Sequence, residues 1–275
     1  MKKVTGIAAL LVLGGCGPKH AALDDYTGFA HAVPVAILGY EGDAMEPFIS
    51  KDGRYLFFNA RNDLFFATRL DDQTFTFRGE VVGANSSALD AVASLDTLGQ
   101  FYFVSARSTL YSGHFDKGTV DSVALVPGIS RPENGWVNFD AEISADGRTL
   151  WFDDGRYGIF GSLKSAAVVI AERHGDGFVR KGNSADVLRT VNAPGLNYAP
   201  CIAVNGLELF FTRADPVPTI YRVTRPDTNA AFGAPQRVAA ASGFVEAPSL
   251  SADGHVLYFH RRQDNHFVIY VARRR

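Results

Sequence analysis

The chain has 275 residues, 47% of them hydrophobic and 20% charged, so it can bury a sizeable core and is not intrinsically disordered. Its formal net charge of −2 offers no basic surface of the kind that binds nucleic acid. With 21 Phe, 10 Tyr and 27 Gly, the composition favours strands and tight turns over helices.

The N-terminus has the pattern of an export signal. Lys2 and Lys3 precede an apolar run over residues 4–13, which is too short to span a bilayer, and small residues follow it. This order predicts a signal peptide over residues 1–15.

Leu13-Gly14-Gly15-Cys16 resembles a bacterial lipobox. The resemblance implies cleavage before Cys16 and lipidation of its thiol, although an ordinary secretory signal with a chance cysteine stays open. Gly17, in place of an aspartate, favours sorting to the outer membrane, facing the periplasm. We therefore expect a membrane-anchored lipoprotein of the cell envelope, with residues 16–31 as a lipidated tether. Only Cys201 then remains, so no intramolecular disulfide is expected.

A pattern of an apolar run, a turn ending in glycine and a second apolar run recurs five times along the chain. Asp-Gly or Asn-Gly between apolar runs is a strong hairpin signal. In each repeat two further strand-like segments follow, which makes four strands in about 47 residues, the size of a propeller blade. The turn glycines are Gly53, Gly99, Gly147, Gly206 and Gly254.

The two ends of the chain complement each other. The last repeat stops after its third strand, at residues 267–272, and the apolar run over residues 33–38 precedes the first repeat. This run can supply the missing outer strand, where Pro34 is tolerated, and closure removes two open sheet edges. The sequence thus predicts an all-β, five-bladed β-propeller over residues 32–275, with four-stranded antiparallel blades and an N-terminal outer strand in the last blade.

The repeat around Ser251, Asp253, Gly254 and Tyr258 resembles the TolB-type, WD-repeat-like β-propeller repeat. The resemblance implies an interaction module of the periplasm or cell surface, in a functionally mixed family. The second repeat departs from it, with Thr97-Leu98-Gly99 at the turn, and the third carries about eleven extra residues between Tyr157 and Tyr198. Because one fold serves many functions, the resemblance names no activity.

The hairpin topology places acids and arginines on one face of the propeller, because the inner strands begin on that face and the second strands end on it. The candidate ligand-binding residues are Glu46, Asp90, Asp140, Glu142, Tyr198, Glu246, Arg61, Arg107, Arg156 and Arg213. They have two interpretations. Each acid and arginine can pair and hold neighbouring loops, or together they can bind a polar ligand, a partner loop or a cation.

No sequence motif identifies a catalytic residue, a metal site or a cofactor, so enzymatic activity stays open and a binding role is preferred. We expect a monomeric, non-enzymatic propeller that binds an unidentified envelope protein or polysaccharide, is attached to the membrane by its lipid, and does not bind nucleic acid. The alternative is a glycoside hydrolase or carbohydrate-binding protein using the inner-strand carboxylates Glu46, Asp90 and Glu142, since glycoside hydrolysis needs two carboxylates about 5–9 Å apart.

Overall fold

The computed structural model describes residues 24–105, 109–131, 133, 135–158, 162–214 and 216–275. Three short strands come first: β1 (Asp25–Tyr26), β2 (Val33–Pro34) and β3 (Ala36–Leu38). The predicted signal peptide, Cys16 and Arg107 lie outside the described residues. Within them, no helix is both long and apolar enough to cross a membrane.

The described strands form five mainly antiparallel blades arranged in a ring, which confirms the five-bladed β-propeller. In each blade the strands run from the innermost to the outermost in chain order. Blades one and two contain β4 (Met45–Ile49), β5 (Tyr55–Ala60), β6 (Asp63–Arg69), β7 (Thr74–Glu80), β8 (Ala91–Leu95), β9 (Gln100–Ser105), β10 (Thr109–Asp116) and β11 (Thr119–Leu125). Blade three contains β12 (Trp136–Ile143), β13 (Thr149–Tyr157), β14 (Leu163–His174) and β15 (Gly177–Arg180), and is followed by a one-turn helix, α1 (Ser184–Val187). Blades four and five contain β16 (Leu196–Ile202), β17 (Glu208–Ala214), β18 (Pro218–Thr224), β19 (Gln236–Val238), β20 (Val245–Leu250), β21 (Val256–Gln263) and β22 (His266–Arg273).

The N-terminal residues close the ring. In β2, Val33 and Pro34 pair antiparallel with Val271 and Tyr270 of β22, which confirms the predicted outer strand of the last blade. The prediction was wrong for the second half of the run, because β3 leaves blade five and pairs in parallel with β7 of blade one. The segment over residues 33–38 therefore joins the last blade to the first.

Part of the predicted tether also packs on the propeller. Asp25 and Tyr26 of β1 pair in parallel with β19 of blade four. Phe29 is 3% exposed and its ring contacts Phe210, with the ring centroids 5.9 Å apart. The N-terminal strands thus extend over three consecutive blades, four, five and one.

Every first hairpin turns at a glycine with φ between 71° and 88°, a conformation that is costly for any residue with a Cβ. In blade one, Ser50 Oγ donates to Asp52 Oδ1 at 2.6 Å across the turn, and the corresponding bond recurs in blades three and five. We call the side of the ring that carries these turns the turn face, and the opposite side, where inner strands begin, the mouth face.

Five apolar clusters fill the five spaces between neighbouring blades. They are rich in aromatic side chains, as the composition predicts; Phe57 of blade one meets Phe101 of blade two, for instance, with their ring centroids 5.1 Å apart. This packing leaves the polar side chains of the inner strands at the centre of the ring.

Candidate functional site

A bulge interrupts the inner strand of every blade at the same point of the repeat. At each bulge one residue with a Cβ takes a left-handed backbone conformation, with φ between 50° and 54°, at a cost of about 1–2 kcal/mol. These residues are Glu46, Val92, Asp140, Ala199 and Ala247. Bulges re-aim side chains, and here two carboxyl groups, those of Glu46 and Asp140, occupy bulge positions.

The second strand of one blade holds the bulge amide of the next. The Ala247 N–H of blade five donates to Thr212 Oγ1 at 3.1 Å, and the Ala199 N–H of blade four donates to Asp153 Oδ2 at 2.7 Å. The Glu46 N–H donates to His260 Nδ1 at 3.0 Å, which links blade five to blade one. These acceptors therefore have a structural task in addition to any role in binding.

Further towards the turn face, a second set of side chains links the inner strands. Each accepts a hydrogen bond from a backbone N–H of the next blade. The pairs are Ser94 with Ile143 at 3.0 Å, Cys201 with Leu250 at 3.1 Å, Ser249 with Ile49 at 2.9 Å, and Glu142 with Ile202. Cys201 is thus a buried structural residue.

A buried ion pair fills this lower part of the channel. Lys51 Nζ lies 2.7 Å from Glu142 Oε1, and both side chains are 4% exposed. Burial alone would lower the pKa of Lys51, but the Glu142 carboxylate outweighs it and raises that pKa, so the ammonium stays charged. Glu142 was predicted to bind a ligand. Its carboxylate instead pairs with Lys51 and accepts a hydrogen bond from the Ile202 N–H.

Above this ion pair, four carboxyl groups from three blades converge at the mouth face. We call them, with two neighbours, the mouth cluster; its members are Glu46, Asp140, Asp153, Tyr198, Glu246 and His260. Glu246 accepts a hydrogen bond from the Tyr198 hydroxyl, and its other oxygen lies 3.1 Å from His260 Nε2. Because His260 Nδ1 accepts the Glu46 N–H, the imidazole proton is on Nε2 and is donated to Glu246.

The mouth cluster holds protons at neutral pH. Burial, with the charges of Asp140 and Glu246, raises the pKa of Glu46 to about 8. Burial also raises the pKa of Asp140 to about 7 and that of Asp153 well above its usual range, the latter with help from Asp140. Asp140 and Asp153 contact each other, and like charges at contact cannot both ionise, so this pair shares a proton.

Several atoms at the mouth lack a partner. Glu46 Oε2 and both amide atoms of Asn59 are buried and make no hydrogen bond of ordinary geometry, although the Asn59 amide lies close enough to the Glu46 carboxyl group to lower its pKa; Asn59 is 1% exposed. Buried polar atoms are nearly always hydrogen-bonded. Tyr157 stands at the rim, 45% exposed, and burial and the charges of Asp140 and Glu46 raise its pKa. The unpartnered atoms indicate that this opening receives a ligand or ordered water.

The predicted acids are thus only partly brought together. Glu46, Asp140, Tyr198 and Glu246 meet in the mouth cluster. Asp90 does not: it is fully buried and accepts from Ser86 Oγ at 2.8 Å and from the Ser105 hydroxyl. Glu142 lies deeper, with Lys51.

The predicted arginines that lie within the described residues do not join the cluster. Arg61 and Arg156 are exposed. Arg213 is 8% exposed and donates to Asn197 Oδ1 at 2.7 Å and to the carbonyl oxygen of Val191 at 3.0 Å. The acids of the mouth instead contact a tyrosine, a histidine and one another, so blade-by-blade pairing with arginine is not what holds them.

Sequence reasoning missed Asn59, Asp153 and His260. All three lie on second strands at the same place, six residues after the turn glycine. This spacing is visible in the sequence, so it could have been used to predict which second-strand side chain faces the bulge of the next blade. Among the described residues, no group of three His, Cys, Asp or Glu side chains is arranged to hold a metal ion.

A separate cavity of about 440 Å³ opens on the turn face between blades three and four. Its charged side chains have internal partners: Lys181 lies 2.5 Å from Glu172, and Arg225 donates to the carbonyl oxygens of Gly206 and Thr228. The mouth cluster, with its unpartnered atoms, is the stronger candidate site.

Comparison with known proteins shows the fold alone. No family model and no curated protein matches the chain. The solved structure of BT0996, described as a complex with RGII, is 12% identical, with a TM-score of 0.58, and the match covers 90% of this chain and 91% of that one. A hypothetical protein from Leishmania major is also 12% identical, with a TM-score of 0.50 and 90% of each chain covered. TolB from Acinetobacter baumannii is 13% identical, with a TM-score of 0.48, over 84% of this chain, which spans about half of that TolB. The chain is therefore similar in architecture to BT0996 and to the Leishmania major protein.

Proposed function

We propose that the protein is a lipid-anchored β-propeller of the cell envelope, with TolB-type repeats, that binds a polar group of a ligand or partner at its channel mouth. The observation that carries the binding site is the convergence of Glu46, Asp140 and Glu246, from three blades, on an opening where Glu46 Oε2 has no partner. The Leu13-Gly14-Gly15-Cys16 motif supports lipidation and a location in the cell envelope.

The shape of the channel supports binding at one end of it. Lys51 and Glu142 form a buried ion pair on the turn-face side of the mouth cluster, so a ligand is expected to reach the cluster from the mouth face. The bulges that place Glu46 and Asp140 there belong to the rigid inner strands, which favours a preformed site.

Site-specific photo-crosslinking tests the site. Benzoylphenylalanine in place of Tyr157, on the mouth rim, is expected to capture the natural ligand or partner in intact cells. The control is the same group in place of Val204, which is 54% exposed on the turn face. Equal products from both positions, or none from Tyr157, would contradict binding at the mouth.

Fractionation of cells into membrane and soluble material tests the proposed membrane attachment. The native protein is expected to sediment with membranes and to need detergent for release, whereas Cys16→Ala is expected to be released in soluble form, because the acyl chains supply the membrane affinity. Equal membrane retention of both would rule out the anchor.

A glycoside hydrolase is the second candidate, and the protonation of Glu46 favours it. A carboxyl group with a pKa of about 8 is protonated at neutral pH, as a general acid must be, and the charge of the neighbouring Asp140 contributes to this raised pKa. BT0996, whose structure is described as a complex with RGII, shares the fold. Release of sugar from an envelope polysaccharide, lost in Glu46→Gln, would support the enzyme; no release by the folded protein would exclude it for that substrate.

A further inference from the structure

We propose that the group bound at the mouth is an organic cation with N–H donors, a primary ammonium, held among Glu46, Asp140 and Glu246 beside Tyr157 and Tyr198. This inference rests on the proposed function and names the chemistry of its ligand. A lysine side chain of a partner protein and a free amine share that chemistry.

The charges around the mouth lack a countercharge. The ionisable groups that face Glu46 from the surrounding strands are Asp140, Asp153, Glu246, His260, Tyr157 and Tyr198. All of these groups are acids or hydroxyls except His260. Its Nδ1 accepts the Glu46 N–H and therefore carries no proton, so the imidazole supplies no positive charge. In the described part of the chain, no lysine or arginine lies within salt-bridge distance of Glu46, Asp140, Asp153 or Glu246, and Lys51 is already paired with Glu142.

The unpartnered atoms match the donors of an ammonium. Glu46 Oε2 and Asn59 Oδ1 are buried oxygens that make no hydrogen bond of ordinary geometry, and once Glu46 is ionised both can accept one from a ligand. A primary ammonium has three N–H donors and no acceptor. A sugar hydroxyl would supply one donor without a charge, so it would not stabilise the ionised form of Glu46.

Two tyrosines add a second kind of recognition. Tyr157 and Tyr198 both lie near Glu46 and Asp140, since the charges of these two carboxyl groups raise the pKa of both hydroxyls after the larger effect of burial. Aromatic rings attract cations through their quadrupole. Acids together with tyrosines therefore favour an organic cation over a neutral polar ligand.

Binding of the cation is coupled to proton release. At neutral pH the cluster holds protons on Glu46 and on the Asp140–Asp153 pair. An ammonium stabilises the ionised carboxylate, so its binding expels a proton, while an amine with an ordinary pKa of about 10.4 stays charged throughout. The affinity is therefore expected to rise from pH 6 to pH 8.

Isothermal titration with 1,4-diaminobutane tests the proposal, with 1,4-butanediol as a ligand of the same length that lacks the charge. We expect the diamine to bind at least tenfold more tightly than the diol, with affinity that rises with pH and with proton release detectable in buffers of different ionisation enthalpy. A lysine-containing peptide compared with its norleucine analogue distinguishes a protein partner from a free amine.

Glu46→Gln is expected to weaken diamine binding at least tenfold, and Glu246→Gln, checked by circular dichroism, provides a second variant if the first does not fold. The control is Glu80→Gln, at the outer edge of blade one, which is expected to bind within twofold of the native protein. Equal binding of diamine and diol, or binding of calcium alone, would overturn the proposal. Crosslinking at Tyr157 without any amine affinity would leave the mouth as a binding site and remove only the cationic ligand.

Discussion

The substitution Glu46→Gln should change how the stability of the protein depends on pH. In the folded protein the pKa of Glu46 is about 8, against an ordinary value of 4.5. Each pH unit between these values corresponds to about 1.4 kcal/mol, so ionising Glu46 costs the folded state up to about 5 kcal/mol. Because the folded pKa is raised, this stability is fully present below about pH 4.5 and is lost as the pH rises to about 8.

Urea denaturation between pH 5 and pH 8.5 measures the effect. Glutamine resembles the protonated acid and does not titrate, so the difference in the free energy of unfolding, native minus Glu46→Gln, is expected to fall by about 2–5 kcal/mol over this range. The variant is then the more stable protein at pH 8.5. Glu80→Gln removes an exposed acid and is expected to follow the native curve. Parallel curves for the native protein and Glu46→Gln would show that Glu46 is ionised in the fold and would refute the reasoning.

Three further predictions concern what holds the ring together, and thermal unfolding checks each. Lys51→Met leaves Glu142 buried and unpaired and is expected to cost about 3–5 kcal/mol, with recovery in Lys51→Met/Glu142→Gln; no recovery would show that the two are not coupled. Phe29→Ala is expected to cost about 3–5 kcal/mol, against less than about 0.5 for Leu98→Ala, which is 74% exposed; equal effects would mean that Phe29 is not part of the core. Deleting residues 24–38 exposes the outer edges of blades four, five and one and is expected to cause aggregation; an unchanged melting temperature would argue against closure by these strands.

The blades were predictable because each repeat carries its own local signal. A turn glycine such as Gly254, between apolar runs, specifies a hairpin without reference to the rest of the chain, and all five such glycines have positive φ. The N-terminal strands were harder. β1 is two residues long and forms only by pairing with a strand distant in sequence, β19, and the division of residues 33–38 between two blades depends on where the first blade lies. No local pattern encodes either contact.

Four of the six members of the mouth cluster were predictable for a related reason. Glu46, Asp140, Tyr198 and Glu246 are found from the place where inner strands begin, which the repeat defines. Which of Asp140 and Glu142 reaches the mouth depends on the bulge, because one extra residue changes the alternation of side chains along the strand. The arginines follow no such rule, since their long side chains reach solvent or backbone carbonyl oxygens, as Arg213 reaches Val191.

The N-terminal strands also have a consequence for how the chain folds. Val33 pairs with Val271, and the Arg275 N–H donates to the carbonyl oxygen of Gly28 at 2.9 Å, so the ring closes through contacts between the two ends of the sequence. Such contacts have the highest loop-closure entropy and form slowly. During synthesis, β2 waits for β22, which is made much later. A circular permutant in which residues 24–38 follow Arg275 makes the contacts between β2 and β22 locally but leaves the pairing of β3 with β7 distant in sequence, so its refolding rate reports which of the two contacts limits closure.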